Sequence, residues 1–269
     1  MKIYLARPAT ALVVAGLVLS SLAVATDAQT RPRIVHVFVA LADNQHQGII
    51  PVPPRLGNGQ DAANNLYWGA AFGVKAYFKS SVEWKALSCG RAPQQIILER
   101  CVFKHAMGAP AYLVADAYDG ARIREAVSDF LSAAAGIRDE ALSLIDGSEK
   151  TTIHAAGKAD LVAYIGHDAF MDFQLPKIAG KKSPTPREFI VLACASRSFF
   201  RPYMEVTGSE PLLWTTGLMA PEAYTLKAAL EGWLAGEDSQ AIHDRAAIAY
   251  DKYQKCGLRA AQRLFASSW

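Results

Sequence analysis

The sequence predicts an α/β fold, in the form of a three-layer α/β/α sandwich with a mainly parallel sheet. Short runs of almost continuously apolar residues recur along the chain, as in strands that are buried on both faces. Segments with apolar residues at helical spacing lie between several of these runs. Strands that alternate with helices imply right-handed crossovers, and hence a parallel sheet covered on both sides.

Six apolar runs predict the strands of this sheet. The fourth and fifth runs are apolar at nearly every position, and this pattern favours burial on both faces over one solvated face. The six runs are residues 33–41, 95–103, 111–117, 161–165, 189–192 and 211–216.

Four segments predict helices, and capping residues indicate where they begin and end. Asp61 or Asn65 can cap the first helix. Pro221 begins the third helix and Gly236 ends it. Asp238 can cap the C-terminal helix. The four segments are residues 62–78, 121–135, 221–234 and 238–265.

The first 28 residues have the pattern of a signal peptide. Lys2 and Arg7 give a positive start, residues 9–24 are apolar, and Ala28 ends a stretch with several small residues. We therefore expect an exported protein, periplasmic or secreted, in which residues 29–269 form a single α/β domain. An uncleaved anchor is the alternative, although the apolar run is short for a membrane span. After cleavage, no stable membrane insertion is expected.

Composition and charge argue against several classes of function. The formal net charge is +3 and the basic residues are scattered, so we expect no nucleic-acid partner. Gly57-Asn58-Gly59 lacks the strand-to-helix context of a phosphate-binding loop. His46, His167 and Cys194 are ligand types that suit zinc, but no metal-ligand spacing supports such a site. We predict neither a cofactor nor a metal.

The four cysteines matter because an exported protein folds in an oxidising compartment. Cys89 and Cys101 bracket a short segment and are a candidate disulfide across a hairpin or loop. Three full pairings of the four cysteines are possible, and the sequence does not choose among them. Two disulfides would consume Cys194, whereas one disulfide would leave it available as a thiol.

Two of the apolar runs end in reactive side chains. The run 161–165 is followed by Gly166-His167, and the run 189–192 is followed by Ala193-Cys194. Side chains at the carboxyl ends of parallel strands line the ligand crevice of an open sheet. The two runs therefore predict a histidine and a cysteine at one edge, where they can form an imidazole–thiol pair.

This arrangement resembles the caspase-like cysteine peptidases, over roughly residues 33–235. In that family one apolar strand ends in Gly-His and the next in Ala-Cys, which match Gly166-His167 and Ala193-Cys194. The resemblance implies a peptide or protein substrate, Cys194 as nucleophile and His167 as acid and base. It also implies an oxyanion hole of backbone groups near Gly166 and Ala193. The sequence departs from the family at Asp168, where glycine is usual, and in a short loop between histidine and cysteine.

Further residues are candidate substrate contacts, and each has a plain structural alternative. His46 follows the first strand and should emerge at the same edge, but loop histidines are common. Asp168 and Asp172 can orient the imidazole or bind a basic side chain, although solvated turn carboxylates are favoured for both. Arg197 can bind an acidic group or lie on the surface. By resemblance, Trp214 and Thr215 border the pocket for the residue before the cleaved bond; otherwise they pack within a strand.

Two functions remain open from the sequence. The first is an exported caspase-like cysteine peptidase, or a related thiol hydrolase, that uses a His167–Cys194 dyad. The second is a non-catalytic extracytoplasmic binding domain on the same scaffold. In that case the Gly-, Pro- and Asn-rich loop of residues 43–65 would form the recognition surface.

Overall fold

The computed structural model describes residues 31–108, 110–176 and 187–269, and Pro32–Trp269 form one compact unit. The predicted signal peptide, residues 1–28, lies outside the described residues. Within the described part of the chain, no helix has both the length and the apolar character that crossing a membrane requires.

Ten strands are present in the described residues. Eight form one sheet in the order β10-β9-β8-β7-β1-β4-β3-β2, and β5 and β6 form a separate antiparallel hairpin. The strands are β1 (Arg33–Ala40), β2 (Trp84–Gly90), β3 (Ile97–His105), β4 (Ala111–Tyr118), β5 (Asp139–Asp146), β6 (Glu149–Ala156), β7 (Leu161–Ile165), β8 (Glu188–Leu192), β9 (Glu210–Thr215) and β10 (Phe265–Ala266).

The centre of the sheet is parallel. Strands β4, β1, β7, β8 and β9 pair in parallel with their neighbours, and β2, β3 and β10 add antiparallel pairs at the two edges. Counted along the chain, the five parallel strands have the spatial order 2-1-3-4-5. The chain therefore leaves β1 toward one side and later returns to the other side at β7. Such a switch point opens a crevice beyond the carboxyl ends of the strands.

Two apolar clusters cover the two faces of the sheet. Side chains of β1 alternate between them: Val35 and Val37 belong to one cluster, and Ile34 and Phe38 to the other. Helices α1 (Val74–Lys79), α4 (Ala223–Leu234), α5 (Ser239–Gln254) and α6 (Leu258–Leu264) pack on the first face. Helices α2 (Ile123–Ala134) and α3 (Ser196–Met204) and the β5–β6 hairpin pack on the second. The α/β class and the mainly parallel central sheet are therefore as the sequence predicts.

A disulfide bond joins the two outermost strands on one side of the sheet. Cys89 of β2 is the register partner of Cys101 of β3, and the two sulfur atoms are 2.00 Å apart. Cys194 and Cys256 are free thiols. The one-disulfide arrangement leaves Cys194 available for chemistry.

Two of the helix predictions are wrong. Residues 62–78 form a series of turns, with a helix only at Val74–Lys79. The buried Asn65 side chain bonds to both backbone groups of Ala42, which holds the chain in a turn. The C-terminal segment 238–265 is two helices, because Lys255 and Gly257 adopt positive φ and end the first of them.

Candidate active site

His167 and Cys194 occupy equivalent places on neighbouring parallel strands. Ile165 of β7 is the register partner of Leu192 of β8. His167 and Cys194 each lie two residues beyond this pair, and the amide of Gly166 still donates to the Leu192 carbonyl at 3.3 Å. The two side chains therefore leave the same edge of the sheet, at the crevice predicted from the sequence.

Cys194 lies in a sharp turn between a strand and a helix. The following residue, Ala195, has a left-handed backbone with φ of 48°, and α3 begins at Ser196. The amide of Ala195 donates to the carbonyl of Gly217 at 2.8 Å, which fixes the turn. A left-handed non-glycine residue is uncommon, and such residues often occur at functional sites.

The sulfur of Cys194 is held by one backbone unit of the loop after β9. The amide nitrogen of Met219 is 3.5 Å from Sγ, and the carbonyl oxygen of Met219 is 3.6 Å from it. As a thiol, Cys194 donates to that carbonyl; as a thiolate, it accepts from the amide. Because the amide hydrogen bond is made to the sulfur itself, it favours negative charge there.

The ring of His167 is oriented by a carboxylate. Its Nε2 lies 2.9 Å from Oδ2 of Asp172, and the ring is buried. A carboxylate oxygen only accepts, so Nε2 carries a proton. In the neutral ring, Nδ1 is then the basic nitrogen. Across the described residues, no hydrogen-bond partner reaches Nδ1.

Asp172 is itself fixed by the loop that follows β1. The amide of Gly48 donates to Asp172 Oδ2 at 2.8 Å. A Cβ atom placed on Gly48 would lie 2.3 Å from Asp172 Oδ1, so only glycine lets the two segments approach this closely. Loops from both sides of the switch point thus converge on the imidazole.

His167 and Cys194 line one cavity of about 460 Å³. No direct hydrogen bond joins the sulfur to the ring, and both residues contribute to the wall of this space. The wall is mostly apolar and comes from the loop after β1, from Leu66 and Tyr67, from the end of β7 and from residues 218–222. The volume lies in the range of about 300–1,000 Å³ that is typical of small-molecule sites.

Tyr67 places a hydroxyl in this cavity. The residue is only 7% exposed, and no described side chain or backbone group is in hydrogen-bonding reach of its hydroxyl. Burial raises the pKa of Tyr67 well above its ordinary value, and negative charge on Cys194 and Glu222 raises it further. The hydroxyl is therefore protonated and can donate to a bound molecule. Buried tyrosine hydroxyls usually have a partner.

Glu222 supplies a carboxyl group to the same cavity. Its Oε2 accepts from the Tyr224 hydroxyl at 2.8 Å and from Gln254 Nε2 at 3.1 Å. Burial raises the pKa of Glu222, and the hydrogen bonds from Tyr224 and Gln254 oppose this effect without cancelling it.

Asp168, which the sequence suggests as a substrate contact, lies outside the cavity wall. Its side chain is fully buried, and Oδ1 caps the short 3-10 helix Ala169–Met171 by accepting from the amide of Phe170 at 3.0 Å. Oδ2 has no hydrogen-bond partner. Burial raises the pKa of Asp168 to about 7, and the nearby charge of Asp172 adds to the increase. The carboxylate that orients His167 is Asp172, four residues further along the chain.

The other substrate-contact candidates also point elsewhere. His46 bonds to Asp43 at 2.8 Å and lines a separate polar depression in the loop after β1. Arg197 donates to the carbonyl of Trp269 at 2.6 Å. Trp214 is buried in the sheet core, and its Nε1 donates to the carbonyl of Ser268 at 3.0 Å. Thr215 is buried and donates to the carbonyl of Ala193.

Of the backbone groups suggested for an oxyanion hole, the Gly166 amide is already engaged. It donates to the carbonyl of Leu192. Ala193 is absent from the cavity wall. In the described part of the chain, the hydroxyl of Tyr67 is one open donor of the cavity-lining residues, and the backbone amides of His167 and Cys194 likewise donate to no described group.

The chain matches no protein-family model, no curated protein and no solved structure. The chemistry of the site must therefore be argued from its own geometry. Within residues 31–108, 110–176 and 187–269, one group of three residues has side chains of the kind that bind metals and lie close enough together to share an ion. The group is Cys89, Glu99 and Cys101. Both of its sulfur atoms belong to the disulfide, so they offer no thiolate to a metal.

The sequence identified His167 and Cys194 but missed the residues around them. Tyr67, Glu222 and Gly48 lie far from both in the chain and reach the cavity only because their loops fold back over the sheet edge. For Asp172 the sequence favours a solvated turn carboxylate, whereas the structure pairs it with the imidazole. The local signal for it was its position five residues after His167, across one turn of 3-10 helix.

Proposed function

We propose that this protein is a thiol-dependent hydrolase of the caspase-like type, in which Cys194 is the nucleophile and His167 the acid and base. One observation carries the proposal: a free thiol and an oriented imidazole leave matched positions of adjacent parallel strands and line the same cavity. Asp172 has the positioning role, because it fixes the ring and leaves Nδ1 open.

The reaction has two halves. In the first, the Cys194 thiol gives its proton to His167 Nδ1, directly or through one water, and the sulfur attacks the substrate carbonyl carbon. His167 then protonates the leaving amine or alcohol as the carbonyl–heteroatom bond breaks. In the second half, water attacks the thioester and gives a proton to Nδ1. The acid is released, and Cys194 regains its proton.

The Tyr67 hydroxyl is suited to stabilise the oxyanion of each tetrahedral intermediate. It is neutral, lacks a hydrogen-bond partner among the described residues, and faces the cavity beside Cys194. A donor placed where negative charge develops lowers the barrier without reorganisation of the site. Here a side chain would do what backbone amides do in many acyl-transfer enzymes.

The caspase-like assignment rests on order and position. An apolar strand ending in Gly-His precedes an apolar strand ending in Ala-Cys, and the two strands are spatial neighbours in a parallel sheet. The Cys89–Cys101 disulfide supports the companion proposal of export to an oxidising compartment. Cell fractionation of the expressed full chain, with mass analysis of its N-terminus, tests export and cleavage after Ala28.

A non-catalytic binding domain is the second candidate. It is favoured by the absence of a direct hydrogen bond between Cys194 Sγ and His167, which leaves the pair open in this structure. In that case the same cavity would hold a ligand without attacking it.

The pH dependence of thiol alkylation separates the two functions. Native protein is treated with iodoacetamide over a range of pH, and modification of Cys194 and Cys256 is followed by peptide mass analysis. Exposed Cys256 serves as the internal reference. We expect Cys194 to react through a His167-dependent thiolate, with a loss of about 100-fold or more in His167→Ala. Equal reactivity of Cys194 in both proteins, with no hydrolysis of peptide or ester substrates, would establish the binding domain instead.

A further inference from the structure

We propose that the cavity accepts substrates with a bulky apolar group next to the carbonyl that Cys194 attacks. This inference rests on the proposed hydrolase function and names its substrate class. It follows from the shape and chemistry of the cavity mouth, its wall and its few polar groups.

The mouth of the cavity carries large apolar side chains that face solvent. Ile50 is 81% exposed, Leu218 is 70% exposed and Met171 is 43% exposed, and all three line the cavity. They come from three different loops, which follow β1, β9 and β7. We call these three residues the apolar rim. Apolar side chains that converge from separate loops on one opening mark a binding surface more strongly than scattered exposed ones.

The loops that carry the apolar rim are tied to the catalytic groups. The Gly48 amide bonds to Asp172, and the Met219 amide bonds to Cys194 Sγ. The amide of Met171 donates to the Asp168 carbonyl at 3.1 Å. The loops that carry the rim residues are thus fixed to the same site as the nucleophile.

Apart from the apolar rim, most of the wall is also apolar. Ile49, Val52, Leu66, Met219 and Pro221 line the same cavity as the rim and the reactive pair. Removing an apolar group from water against such a wall is favourable in proportion to the area that is buried.

The charged groups of the wall argue against an acidic substrate. Among the described residues, the cavity wall contains no lysine or arginine, and Glu222 would repel a carboxylate. A basic substrate is the strongest competitor, because Glu222 attracts cations. However, Glu222 Oε2 already accepts two hydrogen bonds, and Tyr67 is the only other polar side chain that the described wall residues supply besides His167 and Cys194.

Alkylating reagents that differ in one substituent test this preference without a known substrate. Native protein is treated with N-benzylmaleimide, N-(2-carboxyethyl)maleimide and N-(2-aminoethyl)maleimide, and the rate at Cys194 is divided by the rate at Cys256 in the same molecule. We expect this ratio to be at least about fivefold higher for the benzyl reagent than for either charged reagent. Equal ratios, or a higher ratio for the amine, would overturn the proposal.

Variants of the apolar rim locate the preference. In the double variant Ile50→Ser and Leu218→Ser, the rate with the benzyl reagent, divided by the rate with small iodoacetamide in the same variant, should fall at least about threefold. Val82→Ser is the matched control, because Val82 is also an exposed apolar residue but lies outside the cavity wall. An unchanged benzyl preference in the double variant would also overturn the proposal.

The two proposals fail in different ways. If His167→Ala leaves the alkylation of Cys194 unchanged, the hydrolase proposal fails, while the order of the maleimide rates still measures what the cavity accepts. If Cys194 is activated by His167 but the apolar reagent has no advantage, only the substrate class is wrong. Matched peptide amides with Phe, Asp or Lys before the cleavable bond then give the same comparison in turnover.

Discussion

Two histidine–aspartate pairs lie close to the centre of the sheet. His36 of β1 has Nε2 3.0 Å from Asp116 Oδ2, and His167 has Nε2 2.9 Å from Asp172 Oδ2. The pairs differ at the other ring nitrogen. His36 Nδ1 accepts from the amide of Ala156 at 2.9 Å, whereas His167 lines the cavity and its Nδ1 has no partner among the described residues.

The difference separates a histidine whose two ring nitrogens are both engaged from the one that we propose as acid and base. The His36 pair is buried and continues into Arg100, which donates to both oxygens of Asp116 and to Glu140. Burial raises the pKa of Asp116, but the bonds from Arg100 and the charge of His36 outweigh this effect, so the pKa lies below its ordinary value. Every polar group there is satisfied, and no nitrogen remains to act on a ligand.

Removal of Asp116 should have the largest effect on the free energy of unfolding. In Asp116→Ala the buried Arg100 loses its main partner, and we expect a loss of roughly 3–5 kcal/mol in the free energy of unfolding. Urea denaturation measures it. Asp139→Ala is the matched control, because Asp139 pairs with His154 at 3.1 Å on the surface and should contribute at most about 1 kcal/mol. Similar losses in both variants would contradict a structural role for the buried pair.

The second prediction concerns Asp168, which lies next to His167 in the chain and whose buried Oδ2 has no hydrogen-bond partner. Its pKa is raised from 3.8 to about 7, so between these values the folded state binds more protons than the unfolded state. Stability therefore falls as pH rises through this window and is fully penalised above about pH 7. In Asp168→Asn this slope should disappear, which changes the stability difference from wild type by roughly 2–4 kcal/mol between acidic and alkaline pH. A difference independent of pH would show that the carboxyl is not buried.

Removal of Asp172 tests the role that we propose for the His167–Asp172 pair. Asp172→Ala leaves the imidazole without its orienting partner, and we expect Cys194 reactivity to fall about 10- to 100-fold with little change in stability. Asp172→Asn retains an acceptor oxygen and should recover most of the reactivity. Alkylation rates across pH measure both variants. A loss of stability instead of reactivity in Asp172→Ala would place this pair in the same class as His36–Asp116.

The smallest expected effect comes from Gly48→Ala. The added Cβ would meet Asp172 Oδ1 at 2.3 Å, so the carboxylate must shift and His167 loses part of its alignment. We expect a two- to fivefold loss of Cys194 reactivity (about 0.4–1 kcal/mol) and little change in stability, because only the end of a side chain must move. In Gly90→Ala the new atom meets nothing within 4 Å, so this variant should leave the alkylation rate unchanged.

Local patterns predicted the central strands well, because those strands are apolar at almost every position. The predicted run 161–165 is strand β7, and the run 189–192 is strand β8 but for one residue. The β5–β6 hairpin went unpredicted, since its strands are largely polar and exposed and pair mainly with each other. Helix α3 was also missed, because Pro202 near its end reads as a helix breaker.

The residues of the candidate site likewise fall into those that local sequence patterns predict and those that they do not. Cys194 and His167 were predictable because each directly follows a buried strand, so position in the chain fixes position at the sheet edge. Tyr67 falls within the predicted helix 62–78, and Glu222 at the start of the predicted helix 221–234. Their places in the cavity depend on loops whose course is set by distant contacts, such as that between Asn65 and Ala42. Periodicity carries no information about such contacts.

The hydrogen bond between the Met219 amide and Cys194 Sγ has a practical consequence for redesign. The same residue gives the cavity part of its wall and gives the sulfur its backbone donor. A substitution or insertion that reshapes this loop therefore alters ligand fit and nucleophile strength together. Selectivity is better engineered at Ile50, whose loop contacts the imidazole side of the site and leaves the sulfur's environment intact.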